Sequence, residues 1–302
     1  MTKNKKSFAD NLGDLIPKNK LANYVSREVA DGQTEFDIFA YALENKQNTL
    51  IEGDTGCGKT YAVMAHAEKM QMPFFSVACN GATNPDQLIG TWLPKADGGI
   101  EWVDGVITTF VRNGGVLLLD EVNFMKPDIS AAFHSLLDDR RTLNLIENGG
   151  EVIKAADTFQ VIATYNRNYA GTREINEAFK NRFAHKPEFT YEQLDEDTLT
   201  GGGQYALLNL AEQLRQARAD GIIHTPISTN SLMLFCDFVE DMSLEYALTN
   251  FINQFNDDER SSIKEIFDIF IPQIAGDLGV DVPEMFVVET TQADIDDATD
   301  KS

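Results

Sequence analysis

Along the 302-residue chain the spacing of apolar positions alternates between helical and strand-like before settling into helix. Phe36, Ile38, Phe39, Tyr41, Ala42 and Leu43 recur at helical spacing and predict a helix over Glu35–Glu44. Residues 48–52 then read as a short buried strand, followed by a glycine-rich turn over 53–60 and a helix over 61–70. Further strands are expected at 74–79, 116–119, 159–163 and 185–189, with helical or irregular segments between them. Five such strands alternating with helices predict an α/β layer fold around a parallel sheet.

Two hairpins interrupt the alternation. In the first, Thr91-Trp92-Leu93 and Glu101-Trp102-Val103 flank Asp97-Gly98; in the second, Leu143 to Ile146 and Glu151 to Ile153 flank Asn148-Gly149. Asp-Gly and Asn-Gly suit two-residue turns, whose central positions need positive φ. A turn at Asp97-Gly98 would set Trp92 opposite Val103 and Leu93 opposite Trp102, leaving the two indoles as diagonal neighbours, either a cross-strand packing pair or an aromatic contact for a substrate. Past Tyr191 the strand signals stop, and helices are expected over Tyr205–Ala219, 229–240 and 244–255. The organisation expected is an N-terminal segment (1–22), an α/β core (23–190), a small all-helical domain (191–275) and an acidic tail (276–302). Beyond Val288 the tail lacks the apolar content to fold. No internal repeat is visible.

Composition narrows the partners. With 43% hydrophobic and 24% charged residues the chain is globular, and disordered or collagen-like classes are excluded. It carries 48 Asp and Glu against 25 Lys and Arg, a net charge of −23. Broad binding to duplex DNA or anionic lipid is therefore not expected, because phosphate binding draws on Lys and Arg displacing counterions. The acidity is uneven: residues 191–302 hold 23 Asp and Glu against 5 Lys and Arg, so the core is close to balanced. Cys57, Cys79 and Cys236 form no CxxC pair, which fits a reducing, cytoplasmic compartment. His66, His134, His185 and His224 have no metal-ligand spacing. Met1 to Lys6 is basic without an apolar run behind it, so no secretory signal is expected, and no stretch approaches the ~18 apolar residues of a membrane span.

The chemistry concentrates at strand ends. Gly53, Asp54, Thr55, Gly56, Cys57, Gly58, Lys59 and Thr60 match GxxxxGK[ST] in full, between a strand and a helix that opens with Tyr61. Glycines there let backbone N–H groups face phosphate oxygens, Lys59 reaches the β- and γ-phosphates, and Thr60 offers its hydroxyl to Mg²⁺. About sixty residues on, the apolar strand Val116 to Leu119 ends in Asp120 and Glu121, suited to ordering a metal shell and to activating water. The strand 159–163 leads to Asn166. If that strand lies between the first and third, Asn166 emerges between the glycine-rich loop and the two acids, placed to orient water or sense a γ-phosphate; otherwise it caps an Asx-turn. Arg182, flanked by Phe179 and Phe183, is a candidate arginine finger or a helix-end salt bridge.

Together, Gly53 to Thr60, Asp120-Glu121, Asn166 and Arg182, with a helical segment behind them, resemble an AAA+ ATPase over about residues 20–270. The two hairpins resemble the helix-2-insert and pre-sensor-1 hairpins of the MoxR, dynein-related and magnesium/cobalt chelatase branch. The string from Gly90 through Trp102-Val103-Asp104-Gly105 to Asp139-Arg140-Arg141-Thr142-Leu143 is most similar to CbbQ/NorQ-type activators, then to CobS-type cobaltochelatase subunits.

The resemblance implies an AAA+ P-loop core with two inserted hairpins and a helical lid, a homo-hexameric ring with ATP and Mg²⁺ at subunit interfaces, and Arg182 acting across the boundary. It implies a motor that remodels or activates a protein client, often with a von Willebrand A domain partner. Where the family usually has a lid arginine in a Ser-Thr-Arg-like string, this chain has Ser228-Thr229-Asn230, so Asn230 would face the nucleotide without a charge. Arg167 is a possible substitute for it, and Arg140 and Arg141 either reach a neighbouring subunit's nucleotide or form a helix-end charge pair. Two other tasks suit the same residues: the ATPase subunit of a CobS-like metal chelatase, or a non-hydrolysing nucleotide-switched binding module. DNA remodelling, suggested by similar hairpins in MCM proteins, is disfavoured because neither hairpin tip is basic.

Overall fold

The computed structural model describes residues 9–79, 88–95, 98–125, 133–166, 175–191 and 193–282. After a 3-10 turn, Ala9–Leu15, a small antiparallel pair forms from β1 (Glu28–Ala30) and β2 (Gln33–Thr34). Helix α1 (Glu35–Glu44) starts at once, because Thr34 and Asp37 cap each other's backbone N–H groups in a capping box. The core strands are β3 (Thr49–Gly53), β4 (Phe74–Ala78), β7 (Gly115–Asp120), β10 (Phe159–Tyr165) and β11 (Glu188–Phe189), with α2 (Lys59–Lys69) following β3. They form one parallel sheet in the order β11-β3-β10-β7-β4.

Both faces of that sheet are covered, which is why β7 and β10 are buried on both sides up to their last residue and mostly apolar. Within β7, Leu117 and Leu119 pack into one core with Phe110, Phe133 and Val161, while Val116 and Leu118 pack on the other side with Phe39, Val63 and Ile162. β11 is shorter than the five-residue strand expected. Leu50 N–H still donates to His185 O at 2.9 Å and Glu52 N–H to Pro187 O at 3.0 Å, but Pro187 has no N–H to return to the ladder.

The hairpins form as β5 (Gly90–Pro94) with β6 (Ile100–Asp104), and β8 (Thr142–Leu145) with β9 (Glu151–Lys154). The register of the first differs from expectation: Trp92 lies directly opposite Trp102, and Thr91 opposite Val103. The cause is the connection. The last pair is Pro94↔Ile100, and Lys95 N–H closes onto Gly99 O at 2.8 Å, so the loop has an odd number of residues and the pairing slides by one. Asp97 itself lies outside the described residues. The indoles meet edge to face, with centroids 5.8 Å apart. The second hairpin likewise closes at Leu145↔Glu151, with Leu145 O accepting from Asn148 and Gly150 N–H groups.

A second unit begins at Asp195. Its helices are Glu196–Leu199, Tyr205–Ala219, Thr229–Asp241, Leu244–Asn253 and Arg260–Leu278. Ser228 and Ser243 cap two of them. The last helix has no counterpart in the sequence reading, because Pro272 sits within it; its buried stripe Ile263, Phe267, Ile271 and Ile274 nevertheless keeps helical spacing. The acidic stretch 289–302 lies outside the described residues.

His66 on α2 is fully buried, its Nε2 paired with Gln160 Oε1 at 3.0 Å, while Gln160 Nε2 donates to Phe39 O. Burial holds its pKa at about 4, below the ordinary 6.5. The unfolded chain therefore takes up the proton first, so this contribution to stability is intact above the unfolded value and is lost as pH falls towards the folded one. Between pH 7 and pH 5 the expected loss is about 2 kcal/mol, measured by urea unfolding, and His66→Gln should flatten that part of the profile.

Candidate active site

The site lies at the C-terminal edge of the sheet, where β3, β7 and β10 release their last residues side by side. Gly53 pairs with Phe189 of β11, and a Cβ on it would stand 2.3 Å from Phe189 O, so only glycine passes. The chain then turns through Gly56 (φ 76°) and Gly58 (φ 83°), both left-handed, into α2. Gly58 is the N-cap of α2 and supplies no side-chain acceptor, which leaves the first N–H groups of the helix available to an anion.

Lys59 is the best-anchored side chain of the loop. It is buried, and its ammonium donates to Gly53 O at 2.8 Å, Asp54 O at 2.6 Å and Asn166 Oδ1 at 2.7 Å. Burial lowers its pKa, partly opposed by the acidic groups around it. Asn166 is likewise buried, and its Nδ2 donates to Glu121 Oε1 at 3.1 Å. A donor-only ammonium on one side and a carboxylate on the other fix which way the amide points. The strand order sets this up: β10 runs between β3 and β7, the condition on which the position of Asn166 depended.

Thr60 Oγ1 lies 3.3 Å and 3.5 Å from the two carboxylate oxygens of Asp120. Glu121 adopts a left-handed conformation, φ 57° and ψ 54°, that turns the chain out of β7. Both acids are tied to β10 by Thr164, whose hydroxyl donates to Asp120 Oδ1 at 2.5 Å and accepts Glu121 N–H at 2.9 Å. Thr164 was missed in the sequence; its signal is position, two residues before Asn166 and so on the same face of β10. Among the described residues no three His, Cys, Asp or Glu side chains gather as metal ligands. A hydroxyl and one carboxylate suit Mg²⁺, which keeps waters and substrate phosphates as its remaining ligands.

The other expected residues are placed as follows. Thr55 and Gly56 are exposed on the loop, and Cys57 is buried beneath it. Tyr61, on the first turn of α2, stacks on Tyr24 at 6.0 Å. Arg182 donates to the carbonyls of Ala178 and His134, and among the described residues it meets no carboxylate at bonding distance. Asn230 is exposed on the first turn of Thr229–Asp241, in the second unit. Arg167 lies outside the described residues. Arg140 forms the charge pair, with Asp138, while Arg141 is buried and donates to the carbonyls of Lys46, Ala156 and Phe159. Arg27, also missed, is buried with its Nη2 on Cys57 O at 2.7 Å.

Counted along the chain, the core strands run 5-1-4-3-2, with the phosphate-type loop after the first, two acids after the third and a polar residue after the fourth. That arrangement defines a P-loop ATPase core of the AAA+ class. The sequence profile of the AAA domain (dynein-related subfamily) matches residues 48–183. The chain is 30% identical to CbbQ of Hydrogenophilus thermoluteolus over 241 residues, covering 71% of this chain and 89% of that one. It is 40% identical over 135 residues, 45% of this chain, to the denitrification regulatory protein NirQ of Pseudomonas aeruginosa and to NorQ of Paracoccus denitrificans. The match spans about half the length of those two relatives, 51% and 49%. The chain belongs to this family, the MoxR-type AAA+ ATPases. Among the described residues, no helix is long and apolar enough to cross a membrane.

Thr164→Val removes one buried hydroxyl that serves two partners. It should cost about 1–3 kcal/mol of stability in chemical denaturation, and Thr164→Ser should recover most of it. Equal loss in both variants would point to packing of the methyl group instead.

Proposed function

We propose that the chain hydrolyses ATP to ADP and phosphate with Mg²⁺, as a homo-hexameric ring that remodels or activates a protein partner. The observation that carries the reading is the chain of contacts Lys59–Asn166–Glu121, beside the Thr60 and Asp120 pair. Bound Mg²⁺ would neutralise phosphate charge as it develops. Thr60 and Asp120 are the residues to hold it. The helix N-terminus and Lys59 bind and orient the phosphates, Glu121 takes a proton from water, and Asn166 holds the Glu121 carboxylate in place.

Arg182 and Asn230 complete the assignment. A guanidinium resting on two backbone carbonyls retains its charge for a neighbouring subunit's nucleotide, which suits an arginine finger. Asn230 would contact nucleotide without a charge. The client is taken to be a protein, such as one with a von Willebrand A domain; the name of one relative, the denitrification regulatory protein NirQ, supports a regulatory role.

The test is a pair of variants assayed for nucleotide binding and phosphate release. Lys59→Ala should abolish binding, whereas Glu121→Gln should keep ATP affinity and lose turnover by at least about a hundredfold. Undiminished hydrolysis by Glu121→Gln would remove that residue from the base role, and absence of turnover in the unmodified protein at any concentration would favour a nucleotide-switched binding module.

A further inference from the structure

Arg27 stands just ahead of β1, thirty positions from the loop it touches. Its side chain is 1% exposed, and its guanidinium lies over the Phe189 ring, 3.9 Å from the centroid. One nitrogen, Nη2, donates to Cys57 O at 2.7 Å, while Nε and Nη1 are buried without a hydrogen-bond partner among the described residues. The nearby acid, Glu35, is buried as well and makes no ion pair with the guanidinium among the described residues. Glu35 spends its carboxylate on Arg27 N–H at 2.9 Å and on the Ser26 hydroxyl at 3.0 Å. Tyr24, the other neighbour, is largely buried, and burial pushes its pKa up, so it carries no negative charge.

An enclosed cation with one hydrogen bond is a costly arrangement for mere filling, since an apolar side chain would pack there without the desolvation cost. Geometry supplies a reason for it. In a trans peptide the C=O and the following N–H point in opposite directions. A donor that pins Cys57 O therefore turns the next amide, Gly58 N–H, the other way. Gly58 is the left-handed N-cap of α2, and a Cβ on it would come within 3.1 Å of Arg27 Nη2, so the loop's glycine also gives the guanidinium its clearance.

We propose that Arg27 is a positioning residue for the phosphate loop: its buried guanidinium fixes the Cys57–Gly58 peptide and aims the Gly58 amide at the nucleotide's phosphates. The proposal rests on the nucleotide-binding reading above and adds to it a residue outside the GxxxxGK[ST] motif.

The test compares the unmodified protein with Arg27→Gln and Arg27→Lys in three measurements: ADP affinity by titration calorimetry, steady-state ATP hydrolysis, and Tm without nucleotide. Arg27→Gln removes the charge and should raise the ADP Kd and the KM for ATP by about tenfold or more, with kcat within about threefold, because the amide holds ground state and transition state alike. Arg27→Lys restores charge and a donor and should recover most of the loss. A folded Arg27→Gln protein with unchanged ADP affinity overturns the proposal. So does an Arg27→Gln chain that fails to fold, or a glutamine and a lysine variant that lose affinity and Tm equally, since each would make Arg27 a strut of the fold. Failure of the unmodified protein to bind ADP would instead sink the nucleotide-binding reading, and this proposal with it.

Discussion

The parallel pairing of β10 with its two neighbours is the constraint from which the site follows. Ile162 to Tyr165 register with Thr49 to Glu52 on one side, and Phe159 to Ala163 with Gly115 to Leu119 on the other. Neighbouring strands stand about 4.8 Å apart, so the residues leaving their C-terminal ends are held within hydrogen-bond reach. Thr164 meets Asp120 and Glu121 for this reason, and Asn166 reaches Lys59 and Glu121 together. A slip of one residue would send Thr164 and Asn166 to the opposite face and leave both acids without their ties. Apolar burial on both faces of β7 and β10 is what prevents the slip, which links the hydrophobic core to the placement of each charged group.

The partners of Lys59 bear on how the site can accept an anion. Its three donors go to two backbone carbonyls and an amide oxygen, all neutral, although Asp54, Asp120 and Glu121 all act on its charge. Charge-assisted bonds to an anion are roughly twice as strong as bonds between neutral groups. A phosphate oxygen therefore competes against weaker acceptors, whereas a direct lysine-carboxylate pair would have to be broken at greater cost. Asn166 is the spacer that makes this possible. It keeps ammonium and carboxylate in the same network without joining them.

How much of this was legible in the sequence follows the range of the interactions. The glycine-rich loop, the strand ending in Asp120-Glu121 and the helix Tyr205–Ala219 are local patterns, and they stand where the pattern put them. The hairpin register was not legible, because Asp-Gly suggests a two-residue turn while the chain uses an odd connection, and one residue of difference moves Trp92 from beside Val103 to face Trp102. Pro187 leaves β11 shorter than its apolar pattern suggests, and Pro272 disguises a helix whose buried stripe still keeps helical spacing. Thr164 and Arg27 carry no motif. They matter through contacts 44 and 30 positions away, which only the folded topology creates.

The same topology separates the site from the hairpins while joining them through one rigid element. β7 and β10 end at the site, but their first residues, Gly115 and Phe159, are paired at the opposite edge of the sheet. There Arg141 fastens the base of the second hairpin to Ala156 O and Phe159 O, and helix Val106–Asn113 leads from the first hairpin into β7. Arg112 on that helix donates to Asp104 of one hairpin and to Glu151 of the other, and the Trp92 indole N–H donates to Glu147 O. Partly exposed ion pairs are individually weak, yet these ties cross between the hairpins at separate points, so rotation of one against the other must break more than one of them. The two hairpins are thus tied to each other and, through Arg141 and helix Val106–Asn113, to the first residues of the strands that end at the site.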